Sequence, residues 1–304
     1  MFDFQEFLEN LMQALSLQTP LGKKLRVEKV AKGPELWTGL MYEDICEEET
    51  DYHLCPVLYA EPLYKSYEKG LPFDVIVKQT IEVLNVSCTL KDFEITKQSV
   101  LDHVVYDMAG KGADKLYRKC PTKQWLDITV CYSVVPIDDN PDRFALRVTN
   151  DMMRKLQISS EELEAAAEKN TRQVFSDLLY QYTLGFDAEG SEEDAPFKVL
   201  GNCKPGGAAV ILVSDTIRRY AVSEKKDLLL IPSSRNEWFI MPYSAQVDGA
   251  FLSKSIREVN KHDLSADEVL SDHAYVYERE TNRFLTWDQY KEEAAAKEAI
   301  YAVS

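Results

Sequence analysis

The residues with chemistry to offer in this 304-residue chain are four histidines, six cysteines and a scatter of serines and carboxylates. Ser271-Asp272-His273 sets the three residue types of a hydrolase triad side by side. A working triad joins a nucleophile, a base and an orienting carboxylate from separated elements, so these three neighbours cannot serve one another. Ser233 and Ser234 lie in Ile231-Pro-Ser-Ser-Arg-Asn-Glu237, at the end of an expected strand. Either becomes a nucleophile candidate if the fold gathers Ser233, Arg235, Asp272 and His273 in one cleft. No G-x-S-x-G elbow accompanies them. Turn hydroxyls bonded to nearby backbone account for the same residues.

Metal chemistry has two candidate sets. Asp215 followed by Glu224-Lys225-Lys226 fits the loose D…E-x-K pattern, in which two carboxylates hold Mg²⁺ and a lysine supports the attacking water. That pattern wants its Glu and Lys on a strand, and here they fall in a charged turn before Leu228. Cys46, His53 and Cys55 stand beside Glu47 to Glu49, while His262 and His273 flank the C-terminal motif. Zinc would need a distant fourth ligand there, and an acidic surface loop explains the composition. Neither G-x-G-x-x-G nor G-x-x-x-x-G-K-[ST] occurs. Gly201 to Gly207 reads as a turn, because Pro205 removes an amide that a phosphate cradle would use. The sequence assigns no cofactor and no resident metal.

Charge narrows the partners. Lys and Arg total 35 against 51 Asp and Glu, a net of −16. Nucleic-acid affinity comes largely from cations that displace counterions from phosphates, so this excess opposes nucleic acid, and it also opposes anionic membranes. Lys23-Lys24, Arg218-Arg219 and Lys225-Lys226 are the adjacent basic pairs, and none is interleaved with aromatics. The first residues, Met1-Phe2-Asp3-Phe4-Gln5-Glu6, carry acid where a signal peptide carries base. The longest aliphatic run, Ala208 to Val213, falls far short of the ~20 residues of a membrane helix. The cysteines (Cys46, Cys55, Cys88, Cys120, Cys131, Cys203) are scattered with no C-x-x-C, which reads as reduced thiols in a cytoplasmic protein.

The elements that must position these residues follow from periodicity. Phe4, Phe7, Leu8, Leu11, Met12 and Leu15 form one helical stripe, with Asp3 and Glu6 as a capping box. Leu25 to Val30 and Leu36 to Glu43 read as strands joined at Gly33-Pro34. Pro62 to Lys69 and Pro72 to Leu84 read as helices. His103 to Tyr106, Leu126 to Val135 and Arg143 to Val148 read as strands, and Lys115 to Arg118 as a helical turn. Ser159 with Glu162 opens a helix expected to reach Tyr182. Then come strands at Phe197 to Leu200, Ala208 to Val213, Asp227 to Ile231 and Glu237 to Met241, with a helix at Asp215 to Ala221. Ala250 to Val259 and Ala266 to Leu270 read as helices, the second boxed by Ser265 and Glu268. Ala274 to Glu278 and Arg283 to Thr286 form a hairpin, and a last helix starts at Trp287, capped by Thr286 with Gln289. Residues 148–159 also echo 212–223 without gaps, matching Asp, Arg and Ser. Shared strand-to-helix grammar and duplication explain this equally well.

The domain reading is a helical and hairpin unit at 1–98, a β-β-β-α unit at 99–186, and an α+β unit at 197–304. The acidic stretch 187–196 is an exposed linker or loop. The fold class is α+β, mainly antiparallel, with helices on one face and at the ends.

Three stretches carry a resemblance: Val148 to Thr171, Leu228 to Pro242 with its I-P-S-S, and Ile256 to Thr281 with V-L-S-D-H. From about Phe144 to Phe284 the chain resembles a bacterial family, seen mostly in anaerobic gut bacteria, known only as a domain of unknown function. The resemblance implies a cytoplasmic mixed α/β protein, and it carries no activity, cofactor or site residue with it.

The leading expectation is a non-enzymatic binding or regulatory module whose partner, a protein among the choices, the sequence does not name. The alternative is a hydrolase, serine-based on Ser233, Asp272 and His273 or metal-dependent on Asp215 and Glu224. A third reading is an acidic mimic of nucleic acid, from the clusters at 43–51 and 187–194. The charge alone makes one expectation testable. An anisotropy titration with duplex DNA at physiological salt should show no binding. Micromolar affinity that weakens steeply with salt contradicts it.

Overall fold

The computed structural model describes residues 2–32, 35–45, 57–85, 94–110, 113, 117–135, 145–186, 192–201 and 205–303. By packing, the chain divides into two units, Met1–Ser99 and Val100–Ser304.

In the first unit, helix α1 (Phe4–Leu17) starts from the expected Asp3–Glu6 capping box. Its stripe buries Phe7, Leu11 and Leu15 completely, each contributing about 1.5–3 kcal/mol. These side chains meet Leu40 and Tyr42 from a three-stranded antiparallel sheet, β1 (Lys23–Lys32), β2 (Glu35–Asp44) and β3 (Leu58–Tyr59). Helices α2 (Ala60–Glu68) and α3 (Phe73–Asn85) complete the core through Ala60, Ile76 and Leu84. Two buried polar groups are satisfied across elements. The Tyr42 hydroxyl donates to Leu15 O at 2.9 Å, and the Glu61 carboxylate accepts from Thr38 N at 2.8 Å.

The second unit holds two antiparallel sheets. One has β4 (Val104–Ala109), β6 (Ile128–Val134) and β5 (Lys123–Trp125) in that order, with β7 (Leu146–Arg147) also paired to β6. Helix α4 (Lys97–His103) leads into β4, and α5 (Asn150–Lys155) follows β7. Helix α6 (Ser160–Val174) opens on the expected Ser159–Glu162 box and lies against β4. There the Asn170 amide donates to Leu101 O and Val104 O, each at 2.9 Å, and Thr171 Oγ1 accepts from Tyr106 N at 2.9 Å.

The other sheet runs β13-β12-β10-β11-β9-β8, made of β8 (Leu179–Phe186), β9 (Glu192–Leu200), β10 (Leu228–Ser234), β11 (Glu237–Pro242), β12 (Tyr275–Glu278) and β13 (Arg283–Thr286). Helices α8 (Gly249–His262) and α9 (Trp287–Val303) pack on it through Ile256 and Trp287, against Leu229 and Val276. Between β9 and β10 lie a 3-10 turn, Gly207–Leu212, and helix α7 (Thr216–Glu224). Trp238 is fully buried, and its indole N–H donates to Ala208 O at 3.0 Å.

The architecture is α+β with antiparallel sheets, as expected. Several elements differ from their sequence reading. Residues 100–186 and 197–304 fall in one unit. They are linked by strand pairing across the acidic stretch: β8 and β9 pair antiparallel on either side of 187–191, and 192–196 belong to β9. Residues 187–191 themselves lie outside the described residues, as do most of the acidic cluster at 43–51 and the turn at 136–142. The helix expected to reach Tyr182 ends at Val174, and the chain continues as β8. Ala208–Val213 is a buried 3-10 turn and not a strand, because a six-residue apolar run signals burial without fixing a period. Residues 266–268 form a turn where a helix was expected, although Ser265 N still donates to Glu268 at 3.0 Å. The two echo segments enter their helices in different registers, at Asn150 and at Thr216.

The close approach of Gly110 to the V-L-S-D-H stretch generates a prediction. A Cβ on Gly110 would lie 2.5 Å from Val269 O and 3.1 Å from Leu270 O, both backbone atoms. Gly110→Ala should therefore lower stability by about 1–3 kcal/mol in urea denaturation. An unchanged midpoint would show that this packing yields freely.

Candidate functional site

His273 sits half-buried between the turn that follows Ser271 and strand β12. Its Nδ1 lies 3.0 Å from Ala274 O and its Nε2 lies 2.9 Å from Asp127 Oδ2. Both partners are acceptors. A neutral imidazole has one donor and an imidazolium has two, so this geometry fits the charged ring. The hydrogen bond that His273 donates to Asp127 holds the imidazole pKa above its ordinary value despite burial. For Asp127, burial pushes the carboxyl upward, and the bonds from His273 and Tyr275 more than reverse this. The second Asp127 oxygen accepts from the Tyr275 hydroxyl at 2.7 Å.

The partner of His273 is thus Asp127, in the corner between β5 and β6, and not Asp272. Asp272, the carboxylate of the triad candidates, is engaged elsewhere. Its Oδ1 accepts from the Asn260 side chain of α8 at 2.9 Å, and that amide also donates to Ser271 O at 2.9 Å. The helix-to-strand corner is therefore fixed by an α8 residue that is distant in sequence. Ser233 Oγ donates to Glu237 Oε1 at 3.2 Å. The I-P-S-S and V-L-S-D-H stretches do adjoin, through Arg235 N to Glu268 O at 2.8 Å. They do not gather Ser233, Asp272 and His273 into one hydrogen-bonded chain.

The metal candidates are also apart. Asp215 precedes the first residue of α7 and Glu224 is its last, which at ~1.5 Å per residue separates their backbones by about 13 Å. Asp215 faces Arg172 at 3.6 Å. Cys46, His53 and Cys55 lie outside the described residues. Among the described residues, no group of three or more His, Cys, Asp and Glu is placed to hold a metal.

A heavily buried ionic centre joins Arg235, named above only as part of a serine cleft, to Asp107, which the sequence reading passed over. Asp107 on β4 is 3% exposed. It accepts from Arg235 Nε and Met108 N at 2.8 Å, from Ser133 Oγ at 3.0 Å, and from Arg235 Nη2. Four donors thus fill the roughly four lone-pair positions of the carboxylate. Burial would raise the Asp107 pKa, but the Arg235 charge and bonds hold it below the usual range, and Asp107 raises Arg235 in turn. Arg147 stands 3.9 Å from the same carboxylate, with its guanidinium 4.0 Å from the centre of the Tyr117 ring. Its Nε is buried without a hydrogen-bond partner. Burial pushes the neighbouring Cys131 thiol up to about 12, with Asp107 adding to the shift. A single Asp in a strand buried along its whole length and a single Arg in a turn carry no local motif that pairs them. Only tertiary placement reveals them.

Comparison with known families gives a match. A model described as a family of unknown function (DUF5688) aligns with residues 4–279. The chain belongs to this family. The DUF5688 match runs from the first residue of α1 to just past β12, so it covers both units and includes Asp107, Asp127, Arg235 and His273. It extends the resemblance into the N-terminal third, where no motif stood out. No curated protein and no solved structure matches the chain.

The Asp127–His273 pair makes stability depend on pH with a definite sign. The folded His273 pKa lies above its ordinary 6.5. Its contribution is therefore complete below that value and is lost as pH rises through the folded pKa. The lowered Asp127 pKa works oppositely, so its contribution is lost on acidification. In urea titrations, His273→Gln should cost about 1.5–3 kcal/mol near pH 6, and the gap to wild type should narrow toward about pH 9. A gap that stays constant across that range would contradict a charged His273.

Proposed function

We propose that this DUF5688 member is a non-enzymatic binding or regulatory module of the bacterial cytoplasm, with a protein as its partner. One observation carries the reading: both ring nitrogens of His273 already face acceptors, Asp127 Oδ2 at 2.9 Å and Ala274 O at 3.0 Å. In a triad the carboxylate holds one imidazole nitrogen and leaves the other to take the nucleophile's proton. Here the second nitrogen is spent on backbone, and the candidate nucleophile Ser233 is turned to Glu237. The alternative hydrolase, on Ser233, Asp272 and His273 or on Asp215 and Glu224, would need those side chains to leave their present partners.

The net charge of −16 supports a partner that is neither nucleic acid nor an anionic membrane. No helix among the described residues is long and apolar enough to cross a membrane. Cys120 and Cys131 are free thiols, which suits a reducing compartment.

The test is a hydrolysis screen of the full chain with activated esters and phosphate esters, with and without Mg²⁺, Mn²⁺ or Zn²⁺. The expected result is no turnover above the blank. Turnover abolished by His273→Gln, by Ser233→Ala, or by Asp215→Asn with Glu224→Gln overturns the proposal and identifies which hydrolase it is.

A further inference from the structure

In the second unit, the C-terminal end of α7, the turn after β12 and helix α9 from Tyr290 to Lys297 line an open polar cleft of about 410 Å³. Its walls carry four cations, Lys225, Lys226, Arg279 and Lys297, and three carboxylates, Asp227, Glu278 and Glu280. The carboxylates are all engaged. Asp227 accepts from Arg279 N at 2.9 Å and from the Tyr290 hydroxyl at 2.7 Å. Glu278 accepts from Lys297 at 2.8 Å, Arg283 at 3.1 Å and Thr281. Glu280 faces Arg279 at 3.5 Å. Lys225 and Lys226 are left over: among the described residues, neither ammonium has a hydrogen bond or ion pair. In a chain of net charge −16, the cleft wall is close to balanced, four cations against three carboxylates, and its two unpaired charges are the exposed ammonium groups of Lys225 and Lys226.

The backbone adds a second observation. Lys225 ends α7 in the left-handed region, at φ 55 and ψ 29. Glycine is the usual residue there because a side chain makes that conformation unfavourable. This chain places a lysine at the strained position, with its side chain on the wall of the cleft. The basic pair noted in the sequence therefore has a geometric setting that the reading above does not use.

We propose that this cleft binds a small anion through a phosphate group, held by the Lys225 and Lys226 ammonium groups. Lysines are compact point charges that suit a tetrahedral dianion. A planar carboxylate is matched better by a guanidinium fork, and the one guanidinium on the wall already faces Glu280. The cleft falls in the volume range of small-ligand sites, about 300–1,000 Å³. Its openness to water makes the attraction sensitive to salt.

The experiment is calorimetric titration of the full chain with inorganic pyrophosphate at low, constant ionic strength, with citrate as the carboxylate comparator. Lys225→Gly removes one cation and relieves the left-handed backbone, so this variant should fold at least as well as wild type. Combined with Lys226→Ala, it should weaken pyrophosphate binding about tenfold or more, with a melting temperature unchanged or raised. Absence of binding to wild type, equal binding to the double variant, or citrate binding as tightly as pyrophosphate overturns the proposal. The hydrolysis screen probes other residues, so either result leaves the other reading standing.

Discussion

The second unit depends on one buried charge pair. Asp107 and Arg235 are 128 residues apart in sequence and meet where β4 faces the turn between β10 and β11. Removing a carboxylate and a guanidinium from water is expensive, and the loss is offset only when geometry and added hydrogen bonds are good. Here the carboxylate is saturated, the guanidinium binds it through two nitrogens, and Ser133 supplies a further donor. Such a pair adds little net stability compared with apolar packing, but it strongly penalises any arrangement that separates its members. It therefore acts on specificity. The β10–β11 turn has one acceptable position against the smaller sheet, and from there Arg235 N reaches Glu268 O and Arg235 O receives Ala208 N at 3.2 Å. The I-P-S-S turn, the V-L-S-D-H stretch and the 3-10 turn are all placed by this contact.

Most of the individual elements were legible in the sequence because their signals are local. The capping boxes at Asp3 and Ser159, the α1 stripe and the hairpin around Asn282 rest on neighbours within a few residues. The failures share a different cause. The apolar run 208–213 reports that it is buried, but the choice between strand and 3-10 turn is made by what surrounds it, including the Trp238 indole donating to Ala208 O. The helix after Ser159 stops at Val174 because the chain is recruited into β8, whose pairing partner β9 begins 18 residues later. The stretch 187–196 has the composition of a linker, and composition does not report that β8 and β9 pair on either side of 187–191.

The candidate site was legible in residue types and illegible in partnerships. His273 does pair with a carboxylate, as a histidine in a polar corner often does, but the carboxylate is 146 residues away and not adjacent. Asp272 does fix a turn, but through Asn260 of α8 and not through amides of its own turn. In both cases the fold supplied a partner from another element, which residue type and spacing do not report. Asp107 and Arg147 show the limit most clearly. Each is a lone ionic residue on a strand, and burial alone gives them their meaning.

Beside that ionic centre, Cys131 points from β6 into a site with no solvent access, and its thiol is held up to about 12. The thiolate is the reactive form of cysteine, so this sulfur is doubly silent while the fold is closed, shielded by packing and kept protonated by its surroundings. Its reactivity then reports the opening of the sheet itself. An alkylating reagent that reaches Cys131 measures how often β4 and β6 part, which makes the side chain a built-in clock for the motion that the Asp107–Arg235 pair opposes.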